Sequence, residues 1–183
     1  MLAAGAGERF GGPKQLAELD GRPLLEHALA AMAAAPLDRV VVVLGAQAEQ
    51  VRAGVDLHAA QVVICPDWEE GQAASLRAGI AALTAASAAV VVLGDQPRIS
   101  ARAVERVLGE RSPEALAVRA TYDAKPGHPV VLERALFGAI SRLRGDDGAR
   151  ALLGGVAVRD VACDGLGRPD DVDTPEQLEV LRS

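Results

Sequence analysis

Three short, unbroken apolar runs constrain this chain more than any other feature. Arg39-Val40-Val41-Val42-Val43-Leu44 ends at Gly45, Gln61-Val62-Val63-Ile64-Cys65 at Pro66, and Ala89-Val90-Val91-Val92-Leu93 at Gly94. Apolarity that is continuous rather than alternating marks parallel strands buried on both faces. Alanine-rich stretches lie between the runs. Over 23–34, Leu24, His27/Ala28 and Met32 fall at helical spacing and Pro36 follows, and 73–85 repeats the pattern. Strands alternating with helices in this way predict a doubly wound α/β fold on a mostly parallel, Rossmann-like sheet. In such sheets ligands bind beyond the carboxyl ends of the strands. From Pro113 onward the pattern loosens. Leu116-Ala117-Val118 and Val130-Val131-Leu132 read as strands of a mixed-sheet region, with a loop through Lys125 and Gly127 between them. No linker, repeat or low-complexity tail divides residues 1–183, which read as one domain.

The opening of the chain is Leu2-Ala3-Ala4-Gly5-Ala6-Gly7-Glu8-Arg9-Phe10-Gly11-Gly12-Pro13-Lys14. Its four glycines allow sharp turns and close approach of backbone N–H groups to a phosphate. Arg9 can grip phosphate oxygens as a fork and Lys14 as a point charge. Only Lys14 and Lys125 among the 19 basic residues are lysines, so a chain that otherwise uses arginine has placed an ammonium at the end of this loop. A Walker A loop does not fit, because Lys14 follows Pro13 and precedes Gln15. A dinucleotide fingerprint fails as well: Phe10 stands where its third glycine belongs, and the acidic residue expected at the end of a second strand is missing. A plain glycine-rich turn leaves the two cations unexplained.

The acidic residues point the same way. Asp95 follows an apolar run and sits between Gly94 and Gln96-Pro97, a position suited to holding Mg²⁺. Capping the next helix does not account for it, since Ser100 is better placed. Thr174 before Pro175 is a helix cap with proline in the first helical position, followed by Glu176. That cap explains none of Asp170, Asp171 and Asp173, whose mutual repulsion a cation would relieve. In Gly71-Gln72-Ala73-Ala74-Ser75, small residues open a helix mouth against which a base or ribose can lie. His128, between Gly127 and Pro129, is the histidine in a purposeful loop setting, whereas His27 and His58 read as structural. Gly145-Asp146-Asp147-Gly148-Ala149-Arg150 reads first as a turn and helix cap. A net charge of -6 argues against a nucleic-acid binder. Cys65 and Cys163 match no metal or redox spacing and read as free buried thiols. Neither a membrane-length apolar run nor a secretory leader is found, which makes the cytoplasm the expected compartment.

Taken in order, the glycine loop, Gly71-Gln72-Ala73-Ala74-Ser75-Leu76-Arg77-Ala78-Gly79, Leu93-Gly94-Asp95-Gln96-Pro97, Gly127-His128-Pro129-Val130, Gly145 to Arg150 and Asp171-Val172-Asp173-Thr174-Pro175-Glu176 resemble the motifs of the MobA-like nucleotidyltransferases. Within that superfamily the chain most resembles the molybdenum cofactor cytidylyltransferases. The resemblance implies a Rossmann-like nucleotidyltransferase fold and transfer of CMP from CTP to the phosphate of a molybdopterin-type cofactor, with Mg²⁺ bound and pyrophosphate released. It implies nucleotide contacts at Leu2, Ala3, Ala4, Gly5, Gly7, Arg9, Lys14, Gln72 and Ser75, with Arg9, Lys14 and Asp95 as the catalytic set. Asp95 would hold the metal together with Asp173 or Asp171. Gln96, Pro97, His128 and Arg150 would shape the acceptor site, and a molybdenum hydroxylase apoenzyme would be a further partner. Transfer of another nucleotide, or to a sugar or polyol phosphate, is an alternative, as is a non-catalytic maturation chaperone that binds the cofactor. In the family a longer strand leads into the loop, whereas only Met1-Leu2-Ala3 precede it here. The expectation is that the native chain carries further N-terminal residues, because a gap inside a sheet costs about 1 kcal/mol or more per unpaired backbone group.

Overall fold

The computed structural model describes residues 1–145 and 148–182. The apolar runs form the centre of the sheet. In chain order the elements are β1 (Leu2–Ala3), β2 (Glu18–Leu19), β3 (Arg22–Pro23), α1 (Leu24–Ala33), β4 (Val41–Leu44), α2 (Ala48–Gly54), β5 (Gln61–Ile64), α3 (Gln72–Ala81), β6 (Ala88–Val91), α4 (Ala101–Gly109), β7 (Ala117–Tyr122), β8 (Lys125–Glu133), α5 (Phe137–Ile140), α6 (Gly148–Leu153), β9 (Val158–Ala162) and α7 (Pro175–Arg182). Strands β5, β4 and β1 pair in parallel. Leu2 joins them to the other half of the sheet: its N–H donates to the Val92 carbonyl at 2.9 Å, and its own carbonyl accepts from the Gly94 N–H at 2.8 Å. Beyond β6 the order is β8, β7, β9. Among these strands β8 alone runs against the rest. The sheet is therefore mixed but mostly parallel, as the sequence pattern predicts.

Helices cover both faces. Leu25, Ala28, Leu29 and Met32 of α1 and Val104 of α4 pack on Val42, Leu44 and Val92. On the opposite face, Leu76 and Ile80 of α3 and Ile140 of α5 pack on Ala89, Val91, Val130 and Leu132. Met1 extends the β1 ladder: its carbonyl accepts from Val43 N–H at 3.0 Å. The Met1 amino group donates to the Val41 carbonyl at 2.7 Å, and burial pushes its pKa down to about 5. No helix among the described residues is long and apolar enough to cross a membrane.

The structure departs from the sequence expectation in three places. Strand β5 is an edge strand with Gln61 and Ile64 exposed, so its apolar run is not buried on both faces. The expected loop through Lys125 and Gly127 is instead the start of β8. The connection is the two-residue turn Asp123-Ala124, with φ of 49° and 59°. Without a glycine it lacks the usual mark of a tight hairpin. Helix α3 stops at Ala81, short of the expected 85, because its last turn tightens: Ala82 and Leu83 donate to the carbonyls of Gly79 and Ile80.

Candidate active site

The glycine-rich loop leaves β1 at Ala4 and folds back on Gly7. The Gly7 carbonyl accepts from the N–H groups of Phe10, Gly11 and Gly12 at 2.9, 3.0 and 3.3 Å. With φ at 69°, and with the Gly12 carbonyl oxygen 2.1 Å from where a Cβ would stand, this position admits only glycine. Gln15 fastens the loop from below. Its Nε2 donates to the carbonyls of Ala3 at 2.8 Å and Gly5 at 3.0 Å, while its Oε1 is buried without a partner among the described residues. Sequence reasoning missed Gln15, because a single amide between Lys14 and Leu16 carries no pattern.

Lys14 follows directly, and its side chain is only 13% exposed. Its Nζ donates to Asp95 Oδ2 and to Asp173 Oδ1, each at 2.7 Å. Burial works to lower the Lys14 pKa, but the two carboxylates outweigh it and hold it above the ordinary lysine value. The Lys14 hydrogen bond holds the Asp173 carboxyl below its usual range, with the charges of Lys14 and Arg9 adding to the effect. Arg9 reaches the outer oxygen, Asp173 Oδ2, at 2.9 Å from an exposed position.

Local structure explains why Asp173 meets Asp95. The segment before α7 is strapped alongside residues 95–98. Val172 N–H donates to the Asp95 carbonyl at 2.9 Å and Arg168 N–H to the Arg98 carbonyl at 3.1 Å. Gln96 Nε2 donates to the Pro169 carbonyl at 3.2 Å and to Asp171 Oδ1 at 2.8 Å. Asp171 thus bonds Gln96 and not Lys14. Burial raises its carboxyl pKa, the Gln96 bond opposes this, and the charges of Asp95 and Asp173 add to the rise. At the start of α7, Thr174 Oγ1 accepts from Gln177 N–H, while Gln177 Oε1 accepts from the N–H groups of Asp173 and Thr174. This reciprocal cap satisfies the helix end without using the Asp173 carboxylate.

Lys14 and Asp95 help to line a cavity of about 340 Å³, and Asp173 meets that wall through its bond to Lys14. Eight of the sequence-predicted residues line it: Leu2, Ala3, Ala4, Gly5, Lys14, Gln72, Ser75 and Asp95. Trp68 and Glu69, which the sequence reading did not select, complete the wall near α3. The other predicted residues stand apart from this wall. Gly7 shapes the loop, and Arg9 touches the site only through Asp173. Gln96 and Pro97 are buried, and the Gln96 amide is engaged with the C-terminal segment. His128 is partly buried on β8 before a cis peptide bond to Pro129. Burial pushes its imidazole down to about 4 against the opposing pull of Asp95, so the ring is neutral. Arg150 is exposed on α6 and forms no ion pair or side-chain hydrogen bond with the described residues of the site. Asp146 and Asp147 lie outside the described residues.

The donor set suits a hard divalent cation. Among the described residues no three His, Cys, Asp or Glu side chains gather into a metal cage. Two carboxylates do face one point, and Asp95 Oδ1 is buried with no partner among the described residues. Mg²⁺ is commonly held in this way, by one or two carboxylates plus substrate phosphates and water.

Comparison with known proteins finds similar chains and structures. The MobA-like NTP transferase domain matches residues 1–161. Nicotine blue oxidoreductase of Paenarthrobacter nicotinovorans is 37% identical over 191 residues, covering 99% of this chain and 94% of the relative. The crystal structure of Rv0371c from Mycobacterium tuberculosis superposes with a TM-score of 0.89 at 36% identity, covering 98% of this chain and 93% of that one. A structure of Rv0371c in complex with manganese gives a TM-score of 0.84 at 33% identity, with coverage of 98% and 94%.

Proposed function

The chain belongs to the MobA-like NTP transferase family, and on that premise we propose that it works in the cytoplasm, moving CMP from CTP onto the phosphate of a molybdopterin-type molybdenum cofactor and releasing pyrophosphate. The observation that carries this reading is the meeting of Asp95 and Asp173 on Lys14, with Lys14 and Asp95 in the cavity wall. These residues come from a strand end, a helix entry and a glycine loop far apart in the chain. In sequence, the Leu2-Ala3-Ala4-Gly5 start, Gly127-His128-Pro129 and Asp171 to Pro175 favour the cytidylyl branch and its molybdenum group.

The base and ribose lie against Leu2 to Gly5, with Gln72 and Ser75 at the mouth of α3 offering hydrogen bonds. The triphosphate runs along the loop toward Lys14 and Arg9. Asp95 and Asp173 would hold Mg²⁺, which would supply positive charge for the nonbridging phosphate oxygens. An oxygen of the acceptor phosphate attacks the α-phosphorus, the bond to the bridging oxygen breaks, and pyrophosphate leaves. The nucleophile is already an anion, so no side chain has to remove a proton. Catalysis then rests on orientation and on charge placed where it builds. Gln96 and Pro97 back the acceptor side, His128 offers it an uncharged imidazole, and Arg150 is an outer anion contact. A molybdenum hydroxylase apoenzyme would receive the product.

The test is pyrophosphate release with Mg²⁺ and the molybdopterin-type cofactor, with CTP, GTP, ATP and UTP supplied separately. Release with CTP alone is expected, and Asp95→Asn should lower it by about 100-fold or more. Near-native turnover in that variant would remove Asp95 from the mechanism. Release with another nucleotide or another phosphate acceptor would reassign the substrate. Cofactor binding without release would leave a chaperone role. The name of the Paenarthrobacter relative supports a second reading, an oxidoreductase. Oxidation or reduction of an added dye, with no pyrophosphate release, would establish that reading instead.

A further inference from the structure

Lys14 does more in this arrangement than a phosphate-binding lysine requires. Of the four oxygens on Asp95 and Asp173, Lys14 takes one from each and Arg9 takes a third. The fourth, Asp95 Oδ1, is buried and has no partner among the described residues. A single nitrogen therefore sits 2.7 Å from both carboxylates, at the point a bridging metal would take. Ammonium and metal cannot share that point.

We propose that Lys14 is the resident cation of this site: without nucleotide its ammonium bars free divalent metal from the seat between Asp95 and Asp173, and it vacates that seat only when a triphosphate is present to receive it. The proposal deepens the nucleotidyl-transfer reading and rests on it for the second step. Its energetic basis is direct. If metal entered alone, it would drive a largely buried ammonium off its two partners with no anion to replace them, and an uncompensated buried charge is costly. A triphosphate lying along the adjoining cavity supplies those anions, and the flexible four-carbon stem lets the ammonium turn toward them. Metal and nucleotide therefore enter together, and metal alone binds weakly. Against this stands a purely structural role, in which Lys14 is a fixed ion pair that holds the C-terminal segment against the loop.

The experiment measures Mn²⁺ binding through the paramagnetic resonance signal of the free ion. Wild type, Lys14→Met, Arg9→Met and Lys14→Met/Asp95→Asn are compared with and without CTP, and no acceptor is added. Circular dichroism melts establish that each variant is folded. Without nucleotide, Lys14→Met should bind Mn²⁺ roughly tenfold more tightly than wild type or better. Arg9→Met removes the same charge from Asp173 without clearing the seat, so its gain should stay under about threefold. The double variant should lose the tight site. With CTP the wild type should gain and the difference from Lys14→Met should close. Four results would overturn the proposal: no tightening in Lys14→Met, an equal gain in Arg9→Met, a tight site that survives Asp95→Asn, or a difference that persists with CTP. Should CTP change neither Mn²⁺ affinity nor Trp68 fluorescence in the wild type, the nucleotide reading and the release step both fall. The nucleotide-free arms still decide on their own whether Lys14 holds the seat.

Discussion

Gly45 couples the central sheet to the cavity wall, and substituting it tests that coupling. The residue follows β4 directly. A Cβ added there would stand 2.6 Å from Trp68 Cβ, 2.7 Å from the Ala4 carbonyl oxygen and 2.7 Å from Trp68 Cγ. Each approach is roughly 1 Å inside ordinary contact. The Ala4 carbonyl cannot retreat freely, because it accepts from Ala46 N–H at 3.0 Å. Trp68 is held in a short turn whose carbonyl accepts from Gly71 N–H. Gly45→Ala should therefore cost about 1–3 kcal/mol, the usual range for overpacking. For a chain of this size that is roughly 2–12 °C in melting temperature. Trp68 and Ala4 both line the cavity, so nucleotide affinity should fall as well, by roughly tenfold. Trp68 is the only tryptophan in the chain, so its emission reads the site directly during urea denaturation and nucleotide titration. Gly138→Ala provides a control of opposite sign. It lies within α5 with no atom of the described residues within 4 Å of an added Cβ, and it should gain roughly 0.4–1 kcal/mol. A Gly45→Ala protein with the wild-type urea midpoint and unchanged Trp68 emission would refute the packing argument.

Two further predictions concern groups that the sequence left ambiguous or silent. Gln15→Met strips the carbonyls of Ala3 and Gly5 of their side-chain donor and should cost about 1–3 kcal/mol. Equal urea midpoints for variant and wild type would show that the Gln15 amide does not hold the loop. His128 makes stability depend on acid: the fold keeps its ring neutral down to about pH 4, while the unfolded chain takes up the proton near its ordinary value of 6.5. Its contribution, about 3 kcal/mol, is complete above that ordinary value and is lost as pH falls toward the folded value. Urea midpoints measured from pH 7.5 down to 4 should fall less steeply in His128→Asn, and parallel curves would remove the imidazole as the cause.

The strands β4 and β6 were legible because burial on both faces leaves a continuous apolar run, and their closing residues Gly45 and Gly94 mark the ends facing the site. The exposure of β5 was not legible, because its place at the sheet edge follows from strand order, which no local pattern encodes. The β2–β3 turn does carry a local signal, Asp20-Gly21 with φ of 51° and 76°, which the sequence reading passed over.

The choice between Asp171 and Asp173 shows where the limit lies. In an extended segment, residues two apart project to the same side, so spacing alone gives both aspartates the same claim on Asp95. What separates them is register. Val172 N–H is pinned to the carbonyl of Asp95 itself, and the Gln96 amide, one residue along, takes Asp171. Asp173 is then carried past that bond to the entry of α7, where Gln177 satisfies the backbone and leaves the carboxylate to Lys14 and Arg9. Each of those bonds joins segments more than seventy residues apart or depends on one that does. The sequence could therefore supply the chemistry of the site, two carboxylates and an ammonium, but which carboxylate meets the ammonium is decided by the strap along residues 95–98.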